Sequence, residues 1–172
     1  MDITVRLMDL SAMHPRLLWD DIVAATVVVC STTHPHAPFP CVLTVQDLPG
    51  FGSEPLRFAI DPTGIASDHV RRLQRTYEAS RLVELAAIAI AGLGLYYGGV
   101  HAIRDVALRG SGADYLVDEA NHLLEVAGRS RRRGFGAAWQ QRWQRLTDYP
   151  GSGFYVCVVE FETPAGRLTF RR

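Results

Sequence analysis

The sequence contains no lysine: all 18 of its basic residues are arginines. Chemistry that requires a lysine ammonium group is therefore excluded. Cysteine is also scarce, and three cysteines, an odd number, argue against a disulfide scaffold and favour a reducing compartment. The first ten residues carry acids where a secretory leader would carry basic and then apolar residues. These features predict a cytoplasmic protein.

Long hydrophobic runs are nearly absent as well. One membrane-like run occurs at residues 85–100, but it contains four glycines and is flanked by Glu84 and His101. It is also shorter than the roughly 20 residues that cross a membrane, so we expect a buried helix and no membrane partner. The chain has 172 residues, 48% apolar and 21% charged, which is typical of one globular domain with an extension.

The net charge is zero, but the two signs are unevenly distributed. Residues 1–65 contain three arginines against seven acidic residues, and residues 66–172 contain fifteen arginines against eleven. The C-terminal part is therefore basic, which is a weak indication of a polyanionic partner.

Residues 1–66 are predicted to form a β-rich extension. The segment "DIVAATVVVC" is rich in β-branched residues, and proline- and glycine-rich loops separate the apolar segments. The strands predicted in this part are residues 2–10, 21–30, 41–48 and 55–60.

Residues 67–172 are predicted to form an α/β domain in which helices flank a mixed sheet. Helical periodicity begins at Ser67 and ends at Gly98–Gly99, and the apolar pattern then changes to a period of two. The predicted elements are a helix at 67–98, strands at 101–110, 113–119 and 122–129, a helix at 134–146, and strands at 154–162 and 166–172. The order is α-β-β-β-α-β with one additional strand.

The predicted hairpin "GADYLVDEANHLLEVAG" carries Asp114 on its first strand and Glu125 on its second. This motif and the order of elements resemble the PD-(D/E)xK nuclease-like superfamily, which has the restriction-endonuclease-like fold. The resemblance covers residues 67–172. It implies an α-β-β-β-α-β core and a metal-dependent nuclease centre, because phosphodiester hydrolysis uses Mg²⁺ or Mn²⁺ held by carboxylates.

The resemblance also assigns roles to individual residues. Asp114 and Glu125 match the catalytic, metal-binding acids, and Glu84 matches the additional helix acid that many members carry. Gln140 or Gln144 matches the glutamine that some branches place on the second helix. These acids could instead be solvated charges or partners of arginines, and a salt bridge to Arg81 or Arg104 would satisfy Glu84.

Residue 127 departs from the family pattern, because alanine stands where the motif has lysine. On a strand, Glu125 and residue 127 point to the same face, and a methyl group cannot orient water or offset negative charge. Arg129 lies two residues further on and could substitute as a catalytic cation, although it prefers a bidentate partner. We therefore expect a degenerate member of the superfamily.

Arginines are concentrated around the second predicted helix, where no acid occurs between Val126 and Leu146. Such a cluster favours contact with nucleic acid, a solvated loop or an acidic protein partner. Trp139 and Trp143 share the apolar stripe of this helix, so we expect both in the core. The candidate nucleic-acid-binding residues are Arg129, Arg131, Arg132, Arg133, Arg142 and Arg145.

Three functional hypotheses follow from these patterns. The first is a catalytically impaired nuclease-like domain that binds nucleic acid or a partner protein within a larger assembly. The second is an active Mg²⁺- or Mn²⁺-dependent nuclease in which Arg129 replaces the motif lysine. The third is a scaffold without nucleic-acid contact, whose N-terminal strands pair at a sheet edge with a partner or a second copy of the chain.

Overall fold

The computed structural model describes residues 1–100, 102–107, 113–118, 122–147 and 153–171. These residues form one mixed sheet of eight strands with helices on both sides. The strands are β1 (Asp2–Arg6), β2 (Phe39–Gln46), β3 (Leu56–Asp61), β4 (Ile103–Val106), β5 (Tyr115–Val117), β6 (His122–Arg129), β7 (Phe154–Glu160) and β8 (Ala165–Arg171). The helices are α1 (Leu10–Met13), α2 (Asp20–Thr33), α3 (Ser67–Thr76), α4 (Ala79–Tyr97) and α5 (Phe135–Thr147), and 3-10 turns occur at Leu7–Asp9 and Arg132–Gly134.

The strand order across the sheet is β1-β3-β2-β8-β7-β6-β5-β4. The pairs β1–β3, β2–β8 and β6–β7 are parallel, and the other neighbours are antiparallel. Residues 1–66 therefore contribute three strands to the same sheet, and the β2–β8 pairing joins them to the C-terminal part.

Two hydrophobic clusters, one on each face of the sheet, produce three layers. Along the fully buried β7, Tyr155, Cys157 and Val159 pack in the cluster that contains α2 and α4. The alternate residues, Val156 and Val158, pack in the cluster under α5. Because α5 packs on β6 and β7, it leaves the same face of β2 and β3 only partly covered.

Three predictions for the first half of the chain are wrong in whole or in part. The strand predicted at residues 2–10 ends at Arg6, and Leu7–Asp9 and Leu10–Met13 are helical. Residues 21–30, predicted as a strand, lie within α2, which packs between α3 and α4. A short apolar run does not distinguish a buried helix from a buried strand, and here burial overrides the β-propensity of valine. The single helix predicted at 67–98 is two helices, because the chain is extended at Tyr77 and Glu78.

The later predicted elements are confirmed within a few residues, and β6 coincides with the predicted 122–129. The predicted link at residues 119–121 lies outside the described residues. The coarse α/β class, with a mixed sheet between helices, is thus correct.

Helix α4 is the one helix in the described ranges that is long and apolar enough to cross a membrane, judged by length and composition alone. Its 18-residue apolar window has a mean hydropathy of 1.5, and 67% of that window is buried inside the protein. One side of α4 packs on β6 and β7 and the other on α2. The apolar run predicted as a buried helix is thus part of the core of this fold.

A buried histidine, His14, ties the N-terminal segment to α4 and β4. Its Nδ1 accepts a hydrogen bond from the Ile103 N–H at 3.0 Å, and its Nε2 lies 3.0 Å from the Gly92 carbonyl oxygen. Since Nδ1 is an acceptor, Nε2 must carry the proton, and the ring is neutral. The Trp19 indole N–H donates to the His14 carbonyl oxygen at 2.8 Å and completes the cluster.

We expect the stability conferred by His14 to decrease in acid. Burial lowers the pKa of His14 from its ordinary value of 6.5, so below that value the unfolded chain binds a proton that the folded chain excludes. Stability from this residue is complete above pH 6.5 and falls below it, by at most about 1.4 kcal/mol per pH unit. Denaturant unfolding at pH 8 to 5 of the wild type and His14→Gln measures this. A difference in unfolding free energy between the two proteins that does not change with pH would contradict this prediction.

Candidate functional site

The carboxyl group of Glu125 is the most deeply buried charge at the candidate site. On β6, Leu124 and Val126 pack in the α4-side cluster, whereas Leu123 and Ala127 pack in the cluster under α5. Glu125 alternates with Leu124 and Val126 and thus points towards α5, and its residue is 1% exposed. A carboxylate at such a position needs compensating charge, because burying an isolated ion is costly.

Two arginines of α5 supply that charge. Arg142 and Arg145 are three residues apart and therefore lie on neighbouring positions of one helix face. Arg142 Nη1 and Arg145 Nη1 both donate to Glu125 Oε1, at 2.7 and 2.6 Å. Glu125 Oε2 and Arg142 Nε are buried without a hydrogen-bond partner among the described residues. We call Glu125, Arg142 and Arg145 the arginine clamp.

Asp114 lies beside the clamp, immediately before β5, the strand next to β6. Its Oδ2 accepts a hydrogen bond from the Val126 N–H at 2.7 Å, and its N–H donates to the Leu124 carbonyl oxygen at 2.9 Å. Burial raises the pKa of the Glu125 carboxyl above its ordinary value, the charge of Asp114 acts in the same direction, and the two guanidinium groups partly offset both effects. The structure thus brings Asp114 and Glu125 together.

Glu84, the third acid that the resemblance assigns to a metal, is separated from this pair. It lies on α4, which packs on the face of β6 opposite to α5. Its carboxylate is 55% exposed and forms an ion pair with Arg81 at 3.2 Å. At Glu84 the structure therefore shows the alternative to a metal ligand, which is a salt bridge to Arg81.

The charges around Asp114 and Glu125 disfavour a Mg²⁺ or Mn²⁺ ion. Such ions take several oxygen ligands, and no group of three metal-ligating side chains occurs in the described part of the chain. One oxygen of Glu125 is taken by two guanidinium groups, and one oxygen of Asp114 by a backbone N–H. An ion at the remaining oxygens would lie beside two guanidinium groups, whose positive charges repel it.

The other predicted site residues lie elsewhere along β6 and α5 and in the segment between them. Ala127 is buried under α5, and Gln140 is exposed on α5. The Arg129 guanidinium donates to the Gly128 carbonyl oxygen at 2.9 Å, and with Glu84 it lines a cavity of about 260 Å³. Arg131, Arg132 and Arg133 are exposed immediately before α5.

A set of aromatic and basic side chains beside the clamp was not identified from the sequence. Trp139 and Trp143 stack with ring centres 5.7 Å apart, both half-buried as expected for a helix stripe on the core. The guanidinium carbon of Arg167 lies 4.9 Å from the Trp139 ring centre, and that of Arg171 lies 5.6 Å from the Trp143 ring centre. We call these four residues the Arg–Trp ladder.

A sequence signal for the ladder exists in retrospect. Arg167 and Arg171 occupy alternate positions of β8 whose intervening neighbours, Leu168 and Phe170, belong to the core on the other face. Strand alternation therefore places both arginines on the α5 side.

No protein-family model, curated protein or solved structure matches this chain.

Proposed function

We propose that residues 79–160 form a PD-(D/E)xK-like domain that binds nucleic acid and has lost hydrolytic activity. The chain order α4-β4-β5-β6-α5-β7 supports the kinship, as does the parallel pairing of β6 with β7 across the α5 connection. The position of Asp114 immediately before β5 and of Glu125 on the neighbouring β6 supports it as well.

We infer the loss of activity from the arginine clamp. Metal-assisted phosphodiester hydrolysis requires carboxylate oxygens that can bind the ion and a negative potential that attracts it. Here the charges of Asp114 and Glu125 are balanced by those of Arg142 and Arg145. Ala127 contributes no cation that could orient water. The site retains both acids, but Glu125 is held in ion pairs with the two arginines and Asp114 is held by a backbone N–H.

The exposed arginines Arg131, Arg132 and Arg133 support binding to a polyanion. None of the three forms an ion pair with a carboxylate between described residues. The backbone N–H of Arg132 donates to Glu162 Oε2 at 2.9 Å, which fixes this segment to the turn between β7 and β8. Arginines whose backbone is held in place, and whose guanidinium groups form no ion pair, can make bidentate contacts with phosphate.

The experiment combines cleavage and binding with the full chain. We expect no cleavage of plasmid, single-stranded DNA or RNA with Mg²⁺ or Mn²⁺, and binding whose log affinity falls linearly with log salt. The triple variant of Arg131, Arg132 and Arg133 to alanine should weaken binding about 10-fold or more. The matched control replaces Arg16, Arg72 and Arg75, three exposed arginines elsewhere on the chain, and should change affinity little.

Two outcomes would overturn the proposal. Mn²⁺-dependent cleavage that is lost in both Asp114→Ala and Glu125→Ala would establish an active nuclease instead, with Arg129 as the cation to test next. Absence of both cleavage and binding would contradict a nucleic-acid-binding role and leave the scaffold hypothesis.

A further inference from the structure

We propose that the groove between α5 and β8 binds single-stranded nucleic acid, with Arg167 and Arg171 of the Arg–Trp ladder as its contacts. The inference rests on the proposed function and deepens it, because it assigns a strand class and a binding surface. That surface is separate from Asp114 and Glu125.

The ladder fixes both guanidinium groups in place. Each of them lies over an indole ring, within the distance of about 6 Å at which a cation is attracted by an aromatic face. The two indoles are held in turn, since they stack on each other and Trp143 packs edge-on against Phe154 at 5.5 Å. Arginines ordered in this way lose less side-chain entropy when they bind a ligand.

Both arginines retain hydrogen-bonding capacity. Stacking uses only the face of a guanidinium group, so its N–H donors stay available in the plane. Between described residues, neither Arg167 nor Arg171 forms an ion pair with a carboxylate. A phosphate can take the in-plane donors, and a base can stack on the outer face, as bases do on arginine in single-strand recognition.

Two recesses follow one another along the groove. The first, of about 530 Å³, lies at the start of α5 and is lined by Arg132, Phe135, Thr44 and Arg167 among others. The second, of about 650 Å³, includes Trp143 and Arg171. Arg132 therefore adds a third cation to the same surface. It lies at the end of the groove where α5 begins, next to Arg131 and Arg133.

Three acids lie in or beside the groove. Glu162 Oε2 accepts a hydrogen bond from the backbone N–H of Arg132. In the first recess, Glu160 accepts hydrogen bonds from the backbone N–H groups of Glu162 and Thr163 and from the Thr163 hydroxyl. Asp47 is exposed at the second recess. With Arg131 and Arg133, which are exposed on either side of Arg132, five arginines stand against these three acids, so the surface favours an anion.

The contacts that the groove offers favour one strand over a duplex. A base can stack on the outer face of a guanidinium group only if its own face is exposed, as it is in a single strand. Arg167 and Arg171 are four strand residues apart, which corresponds to about 13 Å, so together they can follow an extended backbone.

The test compares a labelled single strand of deoxythymidine with a hairpin duplex of equal length. For the wild type we expect tighter binding of the single strand. Arg167→Ala/Arg171→Ala should weaken that binding about 10-fold or more and reduce the magnitude of the log–log salt slope by about 1.4, as expected for two lost phosphate contacts. Arg72→Ala/Arg75→Ala removes the same charge from α3, on the opposite side of the sheet, and should have little effect.

Arg167→Lys/Arg171→Lys separates stacking from charge. It retains both charges but loses the flat groups, so it should bind more weakly than the wild type and more tightly than the alanine variant. Thermal unfolding of each variant shows whether it is still folded. If the alanine variant is unfolded, the binding of the lysine variant is the result that tests this inference. Wild-type binding that neither substitution weakens, or equal affinity for strand and duplex, would overturn this inference and leave the proposed function standing. If the wild type binds no nucleic acid, the proposed function itself fails.

Discussion

Replacing Arg142 and Arg145 together by alanine is expected to lower the free energy of unfolding by about 3–5 kcal/mol. Both guanidinium groups bind one oxygen of Glu125, whose residue is 1% exposed. Their removal leaves a buried carboxylate with no cation and with the charge of Asp114 beside it. Denaturant unfolding measures this loss, and an unchanged m-value would show that only the stability has changed.

The pH dependence of that variant gives an independent readout. Without the arginines, the pKa of folded Glu125 must rise further, so the folded chain keeps a proton that the unfolded chain releases above its ordinary value of 4.5. The variant should therefore be most stable in mild acid and lose stability as the pH rises. Adding Glu125→Gln should recover much of the loss, whereas Arg131→Ala/Arg133→Ala in the wild type should stay within about 0.5 kcal/mol. A double variant as stable as the wild type would show that Glu125 is not buried as an ion.

Gly128→Ala is expected to destabilise the protein by about 3 kcal/mol, at the upper end of the range for overpacking. A Cβ atom at Gly128 would lie 2.8 Å from the Val83 carbonyl carbon of α4 and closer still to its oxygen. Backbone atoms cannot escape by a change of rotamer, so α4 would have to move away from β6. Thermal or denaturant unfolding measures this effect.

Gly136→Ala is the matched control for that substitution. Gly136 lies in α5, and a Cβ atom there would meet no heavy atom within 4 Å. The same chemical change should therefore be neutral or stabilising by up to about 1 kcal/mol, because alanine favours a helix more than glycine does. Equal losses for the two variants would contradict a specific contact between α4 and β6.

Sequence periodicity located the elements that have one exposed and one buried side, but it could not fix the type of every buried element: β7 and α4 were predicted correctly and α2 was not. The stripe of Trp139 and Trp143 predicted α5, and the alternation around Glu125 predicted β6. The segment that became α2 is apolar on nearly all sides, so its pattern could not distinguish a helix from a strand.

The site was predictable only in its local part. Asp114 and Glu125 were placed together because a hairpin links them within a few residues. Their pairing with Arg142 and Arg145 depends on how α5 crosses the sheet, which strand alternation and helical spacing do not specify. For the same reason the sequence suggested Arg142 and Arg145 as phosphate contacts, although Glu125 takes both in the structure.

Strand β8 has a consequence for the folding of the whole chain. It lies between β2 and β7, and its parallel ladder with β2 pairs Val42 with Ala165 and Gln46 with Thr169. Contacts over such a separation raise the contact order, and closing them costs loop entropy before any burial is gained. Until β8 is in place, β2 and β7 each present an open row of backbone donors and acceptors. Since β8 follows the other seven strands in chain order, a sheet that lacks it exposes two unpaired strand edges, which favour self-association.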